Sequence, residues 1–425
     1  MAQSKRKNVG KEAANQLTAC QCHAWEMLQG DSNMFLTGAA GTGKSFLVRQ
    51  FLREAGTFGF PVVASTGAAA ILVGGCTFHS FFGLGIMEGG VQGTIQRAIR
   101  NGAVTSRLQR IRGVIIDEVS MLPGATLHAA ETIARIARHR SEPWGGLRII
   151  AVGDFAQLPP VNSNGEAKDW AFLHEVWERS EFATAMLQTV VRTTEPEFLQ
   201  VLNLIRQGFV TEEVIRFLDS KVTEPDLHFE GTRLFPHRAK AESHNLERLA
   251  ELPSPLHSFP THYTGIEPYI LQLKKNAPIP EVLLLKEGAL VMLRKNDQWL
   301  RWVNGSLGYL TKICSGSLEI ALLDGQQIEI GHEDFTLLDG NGRELATALN
   351  YPVNLAWATT IHKAQGVSLD RLMVDLSKLW EPGQAYVALS RVRSSDGLYI
   401  ERWAPGSIIV EPLVTQFYVN IDHSS

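Results

Sequence analysis

Eight residues, Gly38-Ala-Ala-Gly-Thr-Gly-Lys-Ser45, constrain this chain more than any other feature. They fit G-x-x-x-x-G-K-[ST] at every fixed position. "NMFLTG" ahead of them reads as a short buried strand, and "KSFLVRQFLREA" after them as a helix, which is the setting the motif requires. Glycines at 38, 41 and 43 let the backbone close tightly, so that its N–H groups face phosphate oxygens, and the helix N-terminus adds favourable dipole charge. In that frame Gly38, Gly41, Thr42 and Gly43 cradle a nucleotide. Lys44 reaches the β- and γ-phosphates, and Ser45 holds Mg²⁺.

The strand–helix alternation continues beyond the loop. "FPVVAST", "RGVIIDEVSM" and "GLRIIAVGD" are apolar runs too short for helices, separated by helical stretches such as "ATLHAAETIARIARH". Unbroken apolar strands between helices predict an α/β fold with a parallel sheet covered on both faces. "VIIDEVSM" delivers Asp117 and Glu118 to the C-terminal edge of its strand, where open α/β sheets bind ligands. Asp117 is the expected Mg²⁺ partner, through water, and Glu118 the expected general base for the attacking water. Asp154 and Gln157 in "AVGDFAQLPP" end the next strand, where a γ-phosphate sensor could sit.

From about residue 225 the texture changes to prolines and glycine-bounded strand-like runs, among them "EVLLLKEGALVMLRK", "VNGSLGYLTKI" and "SLEIALLDGQQIEI". They read as a small antiparallel, barrel-like β unit. After "YPVNLAWATTIHKAQG" the α/β texture returns. The expected division is a basic tail over 1–11, a first lobe over 12–187 and a second lobe over 188–425. A β-rich insertion over about 246–351 interrupts the second lobe.

The 425 residues carry 40 Lys and Arg against 44 Asp and Glu, so net charge neither advertises nor excludes a nucleic-acid partner. Arg97, Arg100, Arg107, Arg110 and Arg112 form a run without an acid, which by itself reads as a solvated helix face. Four scattered cysteines fit a reducing compartment, and "CQCH" at 20–23 reads as helix rather than metal site, since residues two apart face different ways. No run approaches the ~20 apolar residues of a membrane span.

Seven stretches in order carry a more specific reading: "STGAAAILVGGCTFHSFFGLG" (65–85), "DEVSM", "GDFAQLPPV", "VVRTTEPEFLQVLNLIRQG", "VNGSLG", "ATTIHKAQG" (358–366) and "QAYVALSRVRS". Together they resemble a superfamily-one helicase of the 5′-to-3′ branch, and specifically the PIF (petite integration frequency) helicase family, with RecD-type helicases as more distant relatives. Residues 121–161 are similar to the segment that separates the two, and the resemblance runs from Gln16 to Trp403. It implies two RecA-like lobes with ATP between them, and a DNA helicase using ATP and Mg²⁺. Its partners would be single-stranded DNA, tailed or forked duplex and G-quadruplex DNA, in roles such as DNA repair, recombination and telomere maintenance. The alternative use is a single-strand translocase that displaces proteins or anneals strands. The expected setting is a monomer in a bacterial- or viral-type cytoplasm, at the nucleoid. The chain lacks the long terminal extensions of many relatives, so dedicated telomeric or mitochondrial targeting is not expected.

Matched by motif, Gln21 resembles the glutamine that reads adenine and Gln157 the γ-phosphate sensor. Arg192 and Arg391 resemble the two arginines that the second lobe points into the cleft. Thr66, His79, Ser80 and Phe81 fall in first-lobe strand contacts, with Phe81 a candidate for base stacking. Asn304, Thr360, His362 and Lys363 fall in second-lobe ones, while Gln365 and Gly366 lie nearer the γ-phosphate. The family also carries a small projecting wedge after the first-lobe motif, placed here at about 84–106. That assigns Arg97 and Arg100 to the duplex or the displaced strand.

Overall fold

The computed structural model describes residues 17–422 except 57–58, 73, 86, 88–89, 161–166, 225, 227–228 and 298–300. The expected basic tail therefore lies outside the described residues. Six strands form the first sheet: β1 (Met34–Gly38), β2 (Val62–Ala64), β3 (Cys76–Thr77), β4 (Gly113–Asp117), β5 (Arg148–Val152) and β6 (Ala183–Leu187). Their order is β3-β2-β4-β5-β1-β6 and every pairing is parallel. All five residues of β1 and of β5 are buried, which is why their sequences are unbroken apolar runs rather than alternating ones. Leu28, Leu47 and Phe51 cover one face; Phe78, Leu127, Ile133 and Trp144 belong to the cluster on the other.

Of the segment expected to project as a wedge, about 84–106, the helical part from residue 90 lies down instead. Helices Gly90–Arg100 and Gly102–Arg110 pack on helix Gly124–Arg138 through Ile95, Ala98, Val104 and Leu108, all buried in the first-lobe core. Apolar residues recurring every three to four positions give each helix a face that must be covered, and the long helix beside them covers it.

A second parallel sheet, in the order β18-β7-β19-β20, contains β7 (Thr232–Phe235), β18 (Ala358–Thr360), β19 (Leu372–Asp375) and β20 (Leu398–Arg402). Between β7 and β18 the chain leaves the sheet. Strands β11 (Leu290–Leu293), β12 (Leu307–Ile313), β13 (Leu318–Leu322), β14 (Gln327–Ile330) and β17 (Val353–Leu355) form a five-stranded antiparallel sheet. β9 (His262–Gly265), β15 (Glu333–Leu338) and β16 (Glu344–Asn350) form a second sheet, and β8 (His257–Pro260) pairs with β10 (Val282–Leu285). The β-rich insertion thus runs from β8 through β17. It also leans on the first lobe: Ile71 packs in one cluster with Leu273, Ile279, Phe335 and Leu337.

The last helix, Pro412–Asp422, corrects the expectation that everything after 187 belongs to the second lobe. Phe417 stacks on Phe172 (4.5 Å between centroids) and meets Phe155 edge-on, while Val414 and Tyr418 join the first-lobe core. The aromatic nest that suits this helix lies on the first lobe, so the chain crosses back to reach it. Among the described residues no helix is long and apolar enough to cross a membrane.

Candidate nucleotide cleft and strand-binding surface

The phosphate loop joins β1 to helix Lys44–Ala55. Gly41 and Gly43 have φ of 80° and 94°, and the space beside each is already taken. A Cβ on Gly43 would lie 2.5 Å from Gln21 Nε2, and one on Gly41 would lie 2.6 Å from Arg192 Cβ. Glycine is required there for conformation and for room. Thr42 is fully buried and its hydroxyl donates to Ala39 O at 2.9 Å. The Lys44 ammonium donates to Gly38 O (2.7 Å) and Ala39 O (3.1 Å). Gln21 is a buried part of the loop's support: Nε2 donates to Thr42 O at 2.9 Å and Oε1 accepts from Thr18 N at 3.0 Å.

β4 ends at Asp117, whose Oδ1 accepts from Glu118 N at 3.1 Å, with Glu118 itself at φ 53°. A left-handed glutamate at a strand end is uncommon, and such strain concentrates at functional sites. Burial, then the charge of Asp117, pushes the Glu118 carboxyl up to about 7, against the pull of Lys44 and Arg391. Asp154 has a different part from the one its motif suggested. It is completely buried and receives Arg206 through two bonds (2.8 and 3.2 Å), together with the Tyr418 hydroxyl at 2.9 Å. Burial would raise its carboxyl; Arg206, these bonds and Lys44 hold it below the usual value. Asp154 thus anchors the lobes to each other, while Gln157 beside it lines the cavity.

The second lobe supplies the rest. Arg192 Nη1 donates to Ser390 O at 2.6 Å. Arg391 is 1% exposed, its Nε donating to Val387 O and Nη2 to Ser390 Oγ, both at 2.8 Å. Burial, then the nearby Arg192, lowers its guanidinium to about 9. Tyr386 Oη accepts from Ala40 N in the phosphate loop at 2.8 Å, and Gln365 Nε2 donates to Glu118 Oε2 at 3.0 Å.

A cavity of about 500 Å³ results, lined among others by Gly41, Gly43, Lys44, Ser45, Asp117, Glu118, Gln157, Arg192, Gly366 and Arg391. Five cations line it, Lys44, Arg49, Arg192, Arg391 and Arg393, and among the described residues Arg391 makes no ion pair, so the walls suit a polyphosphate. Among the described residues no group of three or more His, Cys, Asp or Glu could hold a metal unaided. Ser45 and Asp117 offer two hard oxygen ligands, which fits a Mg²⁺ ion that completes its shell with phosphate oxygens and water.

The strand residues divide. Thr66 and Ser80 are exposed and His79 half-buried, on one side of the first lobe. Phe81 is 1% exposed, with Phe78 and Phe82 at 0%. Its ring lies in the core and offers a base no face, so the expected stacking there is corrected. The arginine run also splits. Arg97 and Arg100 are exposed, but Arg107 is buried, donating to Phe81 O at 2.6 Å and to Asn341 Oδ1 of the insertion at 3.1 Å. On the second lobe Thr360 is 6% exposed and its hydroxyl accepts from Lys363 N, so it shapes its loop; Lys363 is exposed and Asn304 half-buried. His362 Nε2 lies 3.6 Å from Glu381 Oε2, and Glu381 Oε1 accepts from Lys168 of the first lobe at 2.8 Å. Neither Lys168 nor Glu381 was singled out in the sequence, although Glu381 abuts "QAYVALSR". Arg206, Tyr386 and Tyr418 escaped too, because their partners are distant in sequence.

Residues 16–215 match the family model described as PIF1-like helicase. A Bdellovibrio bacteriovorus protein named ATP-dependent DNA helicase Pif1 is 49% identical over 403 residues, covering 95% of this chain and 92% of that one. The chain belongs to the Pif1-like helicase family. It is accordingly an ATP-dependent DNA helicase of the Pif1 type, with the two RecA-like lobes of that family. The Xenopus laevis ATP-dependent DNA helicase PIF1 is 36% identical; the match covers 91% of this chain but 61% of that longer protein. Among solved structures, Bacteroides sp Pif1 in complex with ADP-AlF4 superposes with a TM-score of 0.84 at 27% identity, covering 96% of this chain and 97% of that one. Bacteroides Pif1 bound to ssDNA gives 0.66 at 28% identity over the same shares.

Proposed function

We propose that this Pif1-type helicase steps 5′ to 3′ along single-stranded DNA, spending one Mg-ATP per cycle of lobe closure, and separates duplex or G-quadruplex DNA ahead of it. The observation that carries the reading is the 3.0 Å bond from Gln365 to Glu118. It ties the loop holding His362 and Lys363 to the carboxylate placed to activate water, so nucleotide state and strand grip share one short segment.

Lys44 neutralises the β- and γ-phosphates, and Glu118 orients the attacking water and takes its proton. Gln157 senses the γ-phosphate. Arg192 and Arg391 face charge that develops in the transition state, a contribution of roughly 10³–10⁵ in rate where such fingers operate. Mg²⁺, when bound at Ser45 and Asp117, supplies charge neutralisation. Strand contacts come from Thr66, His79 and Ser80 on one lobe and Asn304, His362 and Lys363 on the other, reading backbone rather than sequence. Single-stranded and forked DNA appear in the names of related structures, which supports this partner class. Both walls of the cleft come from one chain, so a monomer suffices, and four free thiols suit a reducing, cytoplasmic setting.

The test is strand displacement on 5′-tailed and 3′-tailed duplexes. Preference for the 3′ tail refutes the direction. A second reading, a translocase that strips or anneals strands with weak unwinding, draws support from helices 90–110, which pack on the lobe rather than project. Strong DNA stimulation of ATP hydrolysis without strand separation selects that reading.

A further inference from the structure

Arg294 is a buried cation with no acid beside it. It follows β11, is 6% exposed, and its backbone N–H donates to Pro352 O at 2.8 Å. Nη1 meets Met292 Sδ at 3.2 Å, and Nε has no hydrogen-bond partner. Among the described residues no carboxylate pairs with it, and burial alone lowers its guanidinium to about 10. Holding a charge in such a place opposes folding unless a ligand compensates it.

The surroundings indicate which ligand. The β11–β12 connection carries Asn304, whose Oδ1 is also buried without a partner, so either end of that amide is free to turn toward a ligand. Gly305 N donates to Leu293 O at 2.8 Å, and a Cβ on Gly305 would lie 2.6 Å from Val367. The end of the connection at Asn304 and Gly305 is therefore pressed against the loop that bears His362 and Lys363. In that loop Lys363, although its side chain reaches solvent, is held below the ordinary lysine value by desolvation from its neighbours, then by Arg238 and Arg294. Arg238 is already paired with Glu242. Arg294 and Lys363 remain as excess positive charge near the contact between insertion and second lobe.

We infer that Arg294, with Lys363 and Asn304, forms a seat for one backbone phosphate of the bound single strand. The inference rests on the strand-binding reading above. A planar guanidinium can grip two phosphate oxygens at once, which the ammonium of Lys363 cannot. Arg294 lies outside the stretches that carry the family resemblance, so only its burial and its lack of an acid reveal it.

The experiment is titration of fluorescent oligo-dT between about 50 and 200 mM salt with wild type, Arg294→Met and Arg294→Gln, beside thermal melts of each free protein. Both variants are expected to bind about 10-fold more weakly at the low-salt end, the loss of one charged contact. The slope of log affinity against log salt should become shallower by about 0.7, one phosphate on a single strand. The free Arg294→Met protein should melt at or above the wild-type temperature. Wild-type affinity and slope in both variants overturn the inference. So does a lowered melting temperature with an unchanged slope, which makes Arg294 structural. Failure of the wild type to bind oligo-dT refutes the strand-binding reading itself, a result distinct from either.

Discussion

At the scale of single residues, the cleft separates chemistry from support. Glu118 combines a left-handed backbone, a raised carboxyl and a bond from Gln365. Glu118→Gln keeps the size and can still meet Gln365, so nucleotide affinity should hold while turnover falls by about 10²–10⁴, the range for removing a general base. Single-turnover hydrolysis beside fluorescent-nucleotide binding reads both; near-normal turnover removes Glu118 as the base. Phe81 is the opposite case. It looks like a stacking residue in "TFHSFFG", yet its ring lies in the core with Arg107 above it, 5.0 Å from the centroid. Phe81→Ala should cost about 3–5 kcal/mol of folding stability by urea melts. A variant of unaltered stability that has lost oligo-dT affinity would restore it as a strand contact.

Among elements, the loop after β18 is the junction. Its Gln365 reaches Glu118 of the first lobe, and its His362 reaches Glu381, which is tied in turn to Lys168 across the cleft. His362→Ala should weaken strand affinity and pull the DNA-stimulated ATPase rate down toward the DNA-free rate. Loss of nucleotide binding instead would show that the histidine merely holds the loop. The neighbouring His362, then Lys168, holds the Glu381 carboxyl down to about 2. A depressed carboxyl stabilises the fold above its unfolded value near 4.5 and loses that contribution as pH falls toward 2. Wild type should therefore lose more stability than Glu381→Gln between these pH values. Parallel denaturation curves across that window would show that the tie contributes nothing.

For the whole molecule, the lobes are joined by more than one covalent crossing. Arg206 of the second lobe, Asp154 of the first and Tyr418 of the returning helix make a largely buried triad around the fully buried Asp154, and Tyr418 also bonds the Thr37 hydroxyl and Phe155 N, each at 3.0 Å. Arg206→Met strands a buried carboxylate and should cost about 3–5 kcal/mol. Denaturant titration with probes in each lobe tests this. An undiminished midpoint would mean that the triad does not hold the lobes together.

The nucleotide half of the site was legible because its chemistry is local. The run Gly38–Ser45 and the pair Asp117–Glu118 are each contiguous in the chain, and a strand end or a helix start places such residues without help from afar. Parallel sheets were legible for the same reason, since their two-sided burial writes unbroken apolar runs. What tertiary structure alone decided is who lies opposite whom. The sequence could not say that Phe81 faces inward, that residues 90–110 lie flat, that the last helix returns to the first lobe, or that Glu381 spans Lys168 and His362. Nor could it show that Arg294 lacks an acid. Each depends on residues tens to hundreds of positions apart competing for the same space and charge, and no local pattern records the outcome of that competition.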